Sequence, residues 1–155
     1  MYVGLGVDVH RMVKGRKLIL GGVTIPFEKG LLGHSDADVL IHALCDAILG
    51  AAGLGDIGMH FPDTNPEYKD ISSMILLSRV FKMITRKGHT IENIDLTVIA
   101  EAPRLSAYKD DMCKNIAQII EIDPIRVNIK ATTTEGLGMM GKGEGIAAMG
   151  VVILI

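Results

Sequence analysis

Gly145-Ile-Ala-Ala-Met-Gly-Val-Val-Ile-Leu-Ile155 is an uncharged run of eleven residues. In an extended strand it places Ile146, Ala148, Val152 and Leu154 on one face and Ala147, Met149, Val151, Ile153 and Ile155 on the other. Both faces are apolar, so both are expected to be covered. Helices can cover one face of a sheet. In a chain this short, another subunit could cover the second, so the segment points to an oligomer.

Outward from that strand, the rest of the chain alternates strand and helix patterns. Met1–His10 is a strand, with Tyr2, Val3, Leu5, Val7 and Val9 as its apolar members. Lys17–Phe27 holds two short strands broken by Gly21-Gly22 and Pro26, and Lys29–Gly33 is a glycine-bounded loop. Ser35 followed by Asp38 predicts a capped helix start, running to about Ala51 and stopping at Gly53. Asp56–Asn65 is a polar loop. Ser72–Lys87 has Leu77, Val80, Phe81 and Ile84 at helical spacing, closed by Gly88. Ile94–Ala100 is a strand, Leu105–Ile120 a third helix with Met112, Ile116 and Ile119 on one face, and Arg126–Thr132 a strand after the Asp123-Pro124 turn.

The 155 residues predict one domain covering 1–155. Hydrophobic residues are 48% and charged residues 22%, which excludes a disordered chain or coiled coil. With 16 basic and 18 acidic residues the net charge is −2, which argues against nucleic acid or an anionic membrane as main partner. The six aromatics include no Trp, so aliphatic side chains and nine Met fill the core. Cys45 and Cys113 share no short metal or redox spacing and are expected as reduced thiols. No run has the length of a membrane span, and no signal or transit peptide is visible.

Asp8-Val9-His10 projects a carboxylate and an imidazole from one strand face, a geometry that suits a divalent metal or, equally, a surface Asp–His hydrogen bond. His42 lies mid-helix with Asp38 and Asp46 four residues away on either side. It is either a satisfied partner of those acids or a ligand whose second nitrogen takes a carboxylate. If the first strand packs beside this helix, Asp8, His10 and His42 form a three-ligand site with an open fourth position, the catalytic zinc pattern. His34-Ser35 at the predicted helix start would suit phosphate, or be only a loop residue and a cap. Lys130-Ala-Thr-Thr-Thr-Glu135, entering the Gly136–Gly143 loop, suits phosphate oxygens and a Mg²⁺ ion, or an ordinary turn. Glu101 and Arg104 are read as solvated charges, and His60 and His89 as surface residues.

Together, Asp8-Val-His10-Arg11, Leu31-Leu-Gly-His-Ser-Asp36, Asp38, His42, Leu54-Gly-Asp-Ile-Gly58, Phe61-Pro-Asp-Thr64, Ala102-Pro103 and Lys130–Glu135 resemble the 2-C-methyl-D-erythritol 2,4-cyclodiphosphate synthase family, the cyclases of the non-mevalonate isoprenoid pathway. The resemblance runs along the whole chain. It implies an α/β fold, a mixed sheet with helices packed on one face, in a homotrimer whose sheets face the three-fold axis and whose active sites lie between subunits. It implies that Asp8, His10 and His42 hold one Zn²⁺ per subunit. Glu135 would hold Mg²⁺ or Mn²⁺ bridging the diphosphate. His34 and Thr133 would stabilise the transition state. Substrate contacts would come from Asp8, His10, His34, Ser35, Asp56, Ile57, Gly58, Phe61, Pro62, Asp63, Thr64 and Asn65. The cytidine and its phosphates would meet Ala100, Pro103, Arg104, Leu105, Thr132, Thr133, Thr134 and Glu135.

The implied reaction converts 4-diphosphocytidyl-2-C-methyl-D-erythritol 2-phosphate to the cyclodiphosphate and CMP. The attacking phosphate is already an anion, which matches the absence of a nucleophile–base pair. Met139, Lys142 and Val7 depart from the residues common in the family near its axial cavity, where Met139 and Lys142 would be further contacts. The implied compartment is the bacterial cytoplasm, or the plastid stroma where a leader has been removed. A metal phosphohydrolase and a metal-stabilised scaffold trimer are competing readings of the same residues.

Overall fold

The computed structural model describes residues 1–155. Four long or medium strands and a short one make the main sheet: β1 (Tyr2–Lys14), β4 (Lys29–Leu31), β5 (Ile91–Ile99), β6 (Val127–Thr132) and β7 (Gly145–Leu154), in the order β4-β1-β7-β5-β6. Only β5 and β6 run parallel; every other neighbour pair is antiparallel. β2 (Leu18–Leu20) and β3 (Val23–Ile25) form a separate hairpin. The expected Lys29–Gly33 loop is therefore mostly strand, because Lys29–Leu31 pairs with Lys14–Met12 and adds an edge to β1.

Helix α1 (Val39–Ala51) is apolar almost all round and buries Val39, Leu40, Ile41, Ala43, Leu44, Cys45, Ala47, Ile48 and Leu49. A helix of that pattern belongs inside a fold. It lies on the sheet; α3 (Ser73–Arg86) packs against it, burying Leu77, Val80 and Ile84, and α4 (Lys109–Ile119) packs against β6 and α3, burying Met112 and Ile116. Two helical turns stand where the sequence predicts only loops: α2 (Ile57–His60), whose N–H groups are gathered by the Asp56 and Asp46 carboxylates, and α5 (Gly138–Gly141). α4 begins later than the expected Leu105, after a turn closed by Leu105 O and Tyr108 N. No helix is long and apolar enough to cross a membrane.

The predicted cap moves as well. Asp38, not Ser35, caps α1, accepting the Ile41 N–H, while both its oxygens also take N–H groups of Gly21 and Gly22. Ser35 lies in a bend four residues before the helix. The N–H groups expected to be free for phosphate there are already used, Ala37 N by Ser35 Oγ and Asp38 N by Asp36 Oδ1.

The sheet's two faces differ sharply. Ile146, Ala148, Val152 and Leu154 are fully buried under α1. On the other face Val3, Leu5, Val7 and Val9 are 51–64% exposed, with Met149 and Val151 at 40%. That second face is apolar and open in the single chain.

Close approach of α1 to β1 depends on two glycines. A Cβ at Gly4 would lie 1.9 Å from Ala47 O, and one at Gly6 would lie 2.0 Å from Ala43 O. Neither helix carbonyl can give way, being part of α1's own ladder. Gly6→Ala is thus expected to lower stability by about 3 kcal/mol, the upper end of overpacking. A chemical denaturation curve within about 1 kcal/mol of the parent would contradict this packing.

Candidate functional site

The close packing of α1 on β1 sets His42 opposite Asp8 and His10. Asp8 Oδ2 lies 2.8 Å from His10 Nε2 and 3.2 Å from His42 Nδ1, and the two nitrogens are 3.1 Å apart. Ligand atoms of a tetrahedral site with bonds of 2.0–2.2 Å stand about 3.3 Å apart, so the triangle has nearly the right edge.

Proton bookkeeping decides what this triangle is. His10 Nδ1 is 2.8 Å from Leu32 O, and a carbonyl only accepts, so Nδ1 carries the proton and Nε2 a lone pair. His42 Nε2 is 2.9 Å from Ser73 Oγ, whose only proton goes to Asp36 Oδ1. Paired with that oxygen, His42 Nε2 donates, which leaves a lone pair on Nδ1. Two nitrogen lone pairs and a carboxylate oxygen converge with nothing between them. Such a cluster needs a proton or a cation at its centre. Without a cation the proton goes to His10: burial disfavours its charge, but the Asp8 hydrogen bond and charge outweigh that and raise its pKa above 6.5. Burial also works against the Asp8 anion, yet the hydrogen bond and charge of the protonated His10 hold its pKa well below the usual carboxylate range. Asp8, His10 and His42 therefore form a candidate cation site.

The expected carboxylate partners of His42 are not its partners. Asp38 serves the cap and the Gly21-Gly22 turn, and Asp46 accepts the Ile57 N–H at 2.7 Å. Burial raises the pKa of both acids, Asp38 to about 6. The second nitrogen of His42 instead meets Ser35 and Ser73.

A cavity of about 470 Å³ opens beside the triangle, lined by His10, Gly33, His34, Ser35, His42, Ile57, Gly58, Phe61, Pro62, Asp63, Tyr68 and Leu76. Most of the predicted erythritol-side residues are thus gathered in one place. Asp56 stays behind the wall as the cap of α2, and Asn65 holds His34 Nε2–H with its carbonyl at 3.0 Å. Thr64 is exposed beside it. Tyr68 and Leu76 were not foreseen. Phe61 meets Tyr68 edge to face at 5.4 Å, and Arg79 lies 5.7 Å over the other ring, so the wall is an aromatic stack that only folding brings together.

A second, smaller cleft of about 230 Å³ is lined by Pro103, Arg104, Leu105, Ser106, Lys109, Ala131, Thr132 and Thr133. Ala100 is buried at its rear, with its N–H on Thr132 O. Glu101, read as a solvated charge, is a structural acid: Oε1 accepts from Thr134 N, Thr134 Oγ1 and Gly136 N, and these bonds pull its pKa down. They hold the turn on which Glu135 sits with φ of 54°. The Glu135 carboxylate is exposed and lines neither cleft. Met139 (56% exposed) and Lys142 lie on and after α5, outside both clefts.

The sheet register relates the two clefts. Val9 pairs with Ala147, Ala147 with Ile99, and Ile99 with Thr132, so one row crosses four strands. Three strand spacings put Thr132 about 14 Å from Val9. Thr132 is on the open face, whereas Asp8 and His10 face α1. Within one chain the clefts share an end of the sheet but not a face.

A family model described as the YgbB family matches residues 1–155. The 2-C-methyl-D-erythritol 2,4-cyclodiphosphate synthase of Desulfosudis oleivorans is 59% identical over 155 residues, covering 100% of this chain and 92% of that one. The solved bifunctional IspDF from Campylobacter jejuni superposes with a TM-score of 0.95 at 47% identity, over 99% of this chain and 42% of the longer one. IspF of Plasmodium falciparum, solved as a CDP complex, gives 0.87 at 34% identity, over 99% and 95%.

The triangle predicts an unusual pH profile. Asp8, with a lowered pKa, stabilises the cation-free fold above pH 3.8 and loses that contribution as pH falls through its folded value. His10, with a raised pKa, stabilises it fully below pH 6.5 and loses the contribution as pH rises through its folded value. The pair's support is whole between those two limits. Chelator-treated protein should thus lose melting temperature on going to alkaline pH, while protein supplied with divalent cation should not. Parallel profiles would remove the cation from the triangle.

Proposed function

The chain belongs to the YgbB family, and on that premise we propose that it is a 2-C-methyl-D-erythritol 2,4-cyclodiphosphate synthase acting on 4-diphosphocytidyl-2-C-methyl-D-erythritol 2-phosphate. The observation that carries the reading is the convergence of three ligand atoms, from Asp8, His10 and His42, at the edge of the larger cavity. A site of two nitrogens and one carboxylate oxygen suits zinc. Glu135, unengaged and turned outward, is the ligand we assign to a magnesium or manganese ion. Held by these residues, the two ions would supply Lewis-acid polarisation and charge neutralisation to the diphosphate.

An oxygen of the 2-phosphate attacks the β-phosphorus. The new P–O bond closes the ring as the bond from that phosphorus to the α-bridging oxygen breaks, and CMP leaves with the oxygen. No proton need be removed from the nucleophile, so the chain's task is positioning and charge. Ile57, Gly58, Phe61 and Pro62 wall the methylerythritol side, with Asp56 holding that turn in shape. Ser35, Asp63, Thr64 and Asn65 border it. His34 has given Nε2–H to Asn65 O, so it donates to phosphate through Nδ1 only as an imidazolium. Thr132, Thr133, Thr134, Ala100, Pro103, Arg104 and Leu105 make the cytidine side.

These two sides sit on opposite faces of one sheet. We assign the complete site to two copies, the larger cavity of one beside the smaller cleft of the next, in a homotrimer packed through the Val3–Val9 and Met149–Ile153 face. The exposure of that apolar face supports this. The bacterial relatives favour the bacterial cytoplasm as its compartment.

The decisive assay follows CMP and the cyclic product from the cytidine substrate. Asp8→Ala should lose turnover on the order of a thousandfold, the scale of several kcal/mol of metal assistance. Release of inorganic phosphate instead would favour a phosphohydrolase, and CMP with an uncyclised product would end the proposal. Leu5→Glu, on the open face, should convert a particle of three times the chain mass by light scattering into monomers. A monomeric parent with full turnover would refute the shared site.

A further inference from the structure

Ser73 is the first residue of α3, fully buried and outside the cation triangle. It lies between a carboxylate and an imidazole. Asp36 Oδ2 accepts the Ser73 N–H at 3.0 Å, and Asp36 Oδ1 accepts the hydroxyl proton. Oδ1 also accepts the Asp38 N–H at 3.2 Å, so the carboxylate is anchored to the turn that carries it. Gripped at two points, the serine cannot swing its proton towards His42. Its oxygen presents only lone pairs to His42 Nε2, 2.9 Å away. Ser35 Oγ, 3.0 Å from the same nitrogen, lies within reach of the same proton and accepts the Ala37 N–H.

We propose that Asp36 and Ser73 are positioning residues that act on the cation through His42, fixing its ring as the Nε2–H tautomer so that the Nδ1 lone pair always faces Asp8 and His10. Metal-bound histidines commonly give their second N–H to a carboxylate, which sets ring orientation and makes the ligand more basic. Here a hydroxyl stands between carboxylate and ring. The insertion has a consequence that direct contact would lack. Ser73 comes from α3, Asp36 from the turn before α1, and His42 from α1 itself. Three elements must therefore be docked before the third ligand acquires its working tautomer. The assignment rests on the cation-site reading above.

The test uses two variants and their combination, Ser73→Ala, Asp36→Asn and the double. Long-range ¹H–¹⁵N spectra of the histidine-labelled, chelator-treated full chain at alkaline pH read the tautomer directly. The parent should show His42 as Nε2–H, and Ser73→Ala should mix in the Nδ1–H form. Zinc affinity, read by competition with a chromophoric chelator, should fall about 10- to 100-fold in each single variant. Because Asp36 acts through Ser73, the double variant should bind within twofold of Ser73→Ala. A parent His42 in the Nδ1–H form overturns the relay, and so does unchanged affinity in variants that merely melt earlier. A parent that takes up no zinc sinks the metal reading instead, and the tautomer spectrum still decides the relay.

Discussion

The whole arrangement depends on how closely one helix approaches one strand. Gly4 and Gly6 leave no side chain between β1 and the carbonyls of Ala47 and Ala43. Any Cβ there would push α1 outward. The ligand triangle has edges of only 2.8–3.2 Å, so an outward shift of an ångström would open it. Asp8 and His10 follow Gly6 on the same strand face, and His42 precedes Ala43 on the helix. Backbone contact and ligand contact are therefore neighbouring points of a single interface. The apolar burial of α1 supplies the force that keeps that interface closed: nine of its residues have no exposure at all.

That force is partly spent on holding unfavourable chemistry together. Two imidazole lone pairs and a carboxylate brought within hydrogen-bonding distance repel unless something positive lies between them. The protein does not relieve the conflict by turning a ring, because each ring is pinned on its far side. Leu32 O fixes His10, and Ser73 fixes His42. Pinned rings and a converging electron-rich triangle make a preorganised candidate cation site, its reorganisation done during folding rather than at binding.

Much of this could be read from residue order. The i, i+2 pair Asp8 and His10 and the polar His42 in an apolar helix are local features, and one packing assumption joins them. The uncharged terminal run likewise revealed a strand with two apolar faces. What escaped depends on register and docking. Glu101 seems an ordinary charge until the parallel pairing of Ile99 with Thr132 sets it opposite Thr134. Ser73 looks like a mere helix-start residue until α3 brings it to His42 from 31 positions away. The misplaced cap has a local cause: Ser35 and Asp38 both fit the start signal, and the demand of the Gly21 and Gly22 N–H groups selects Asp38. Tyr68 and Leu76 carry no signal beyond being apolar, since the cavity they line exists only after the 57–72 segment folds back.

The same sheet that separates the two clefts also explains why a small chain can tolerate so exposed an apolar face. Its odd-numbered β1 residues cannot turn inward, because the even-numbered ones hold the glycines and the ligands, and strand geometry allows no other exchange. Placing Gly4, Gly6, Asp8 and His10 against α1 thus compels Val3, Leu5, Val7 and Val9 to point the other way. Register carries the compulsion across β7, where Val151 and Met149 stand beside Leu5 and Val7. The ligand-bearing and open apolar surfaces are two readings of one alternation. A shift of one residue in β1 would exchange them, burying the valines and expelling both ligands, so the ligand set and the outer apolar face stand or fall together.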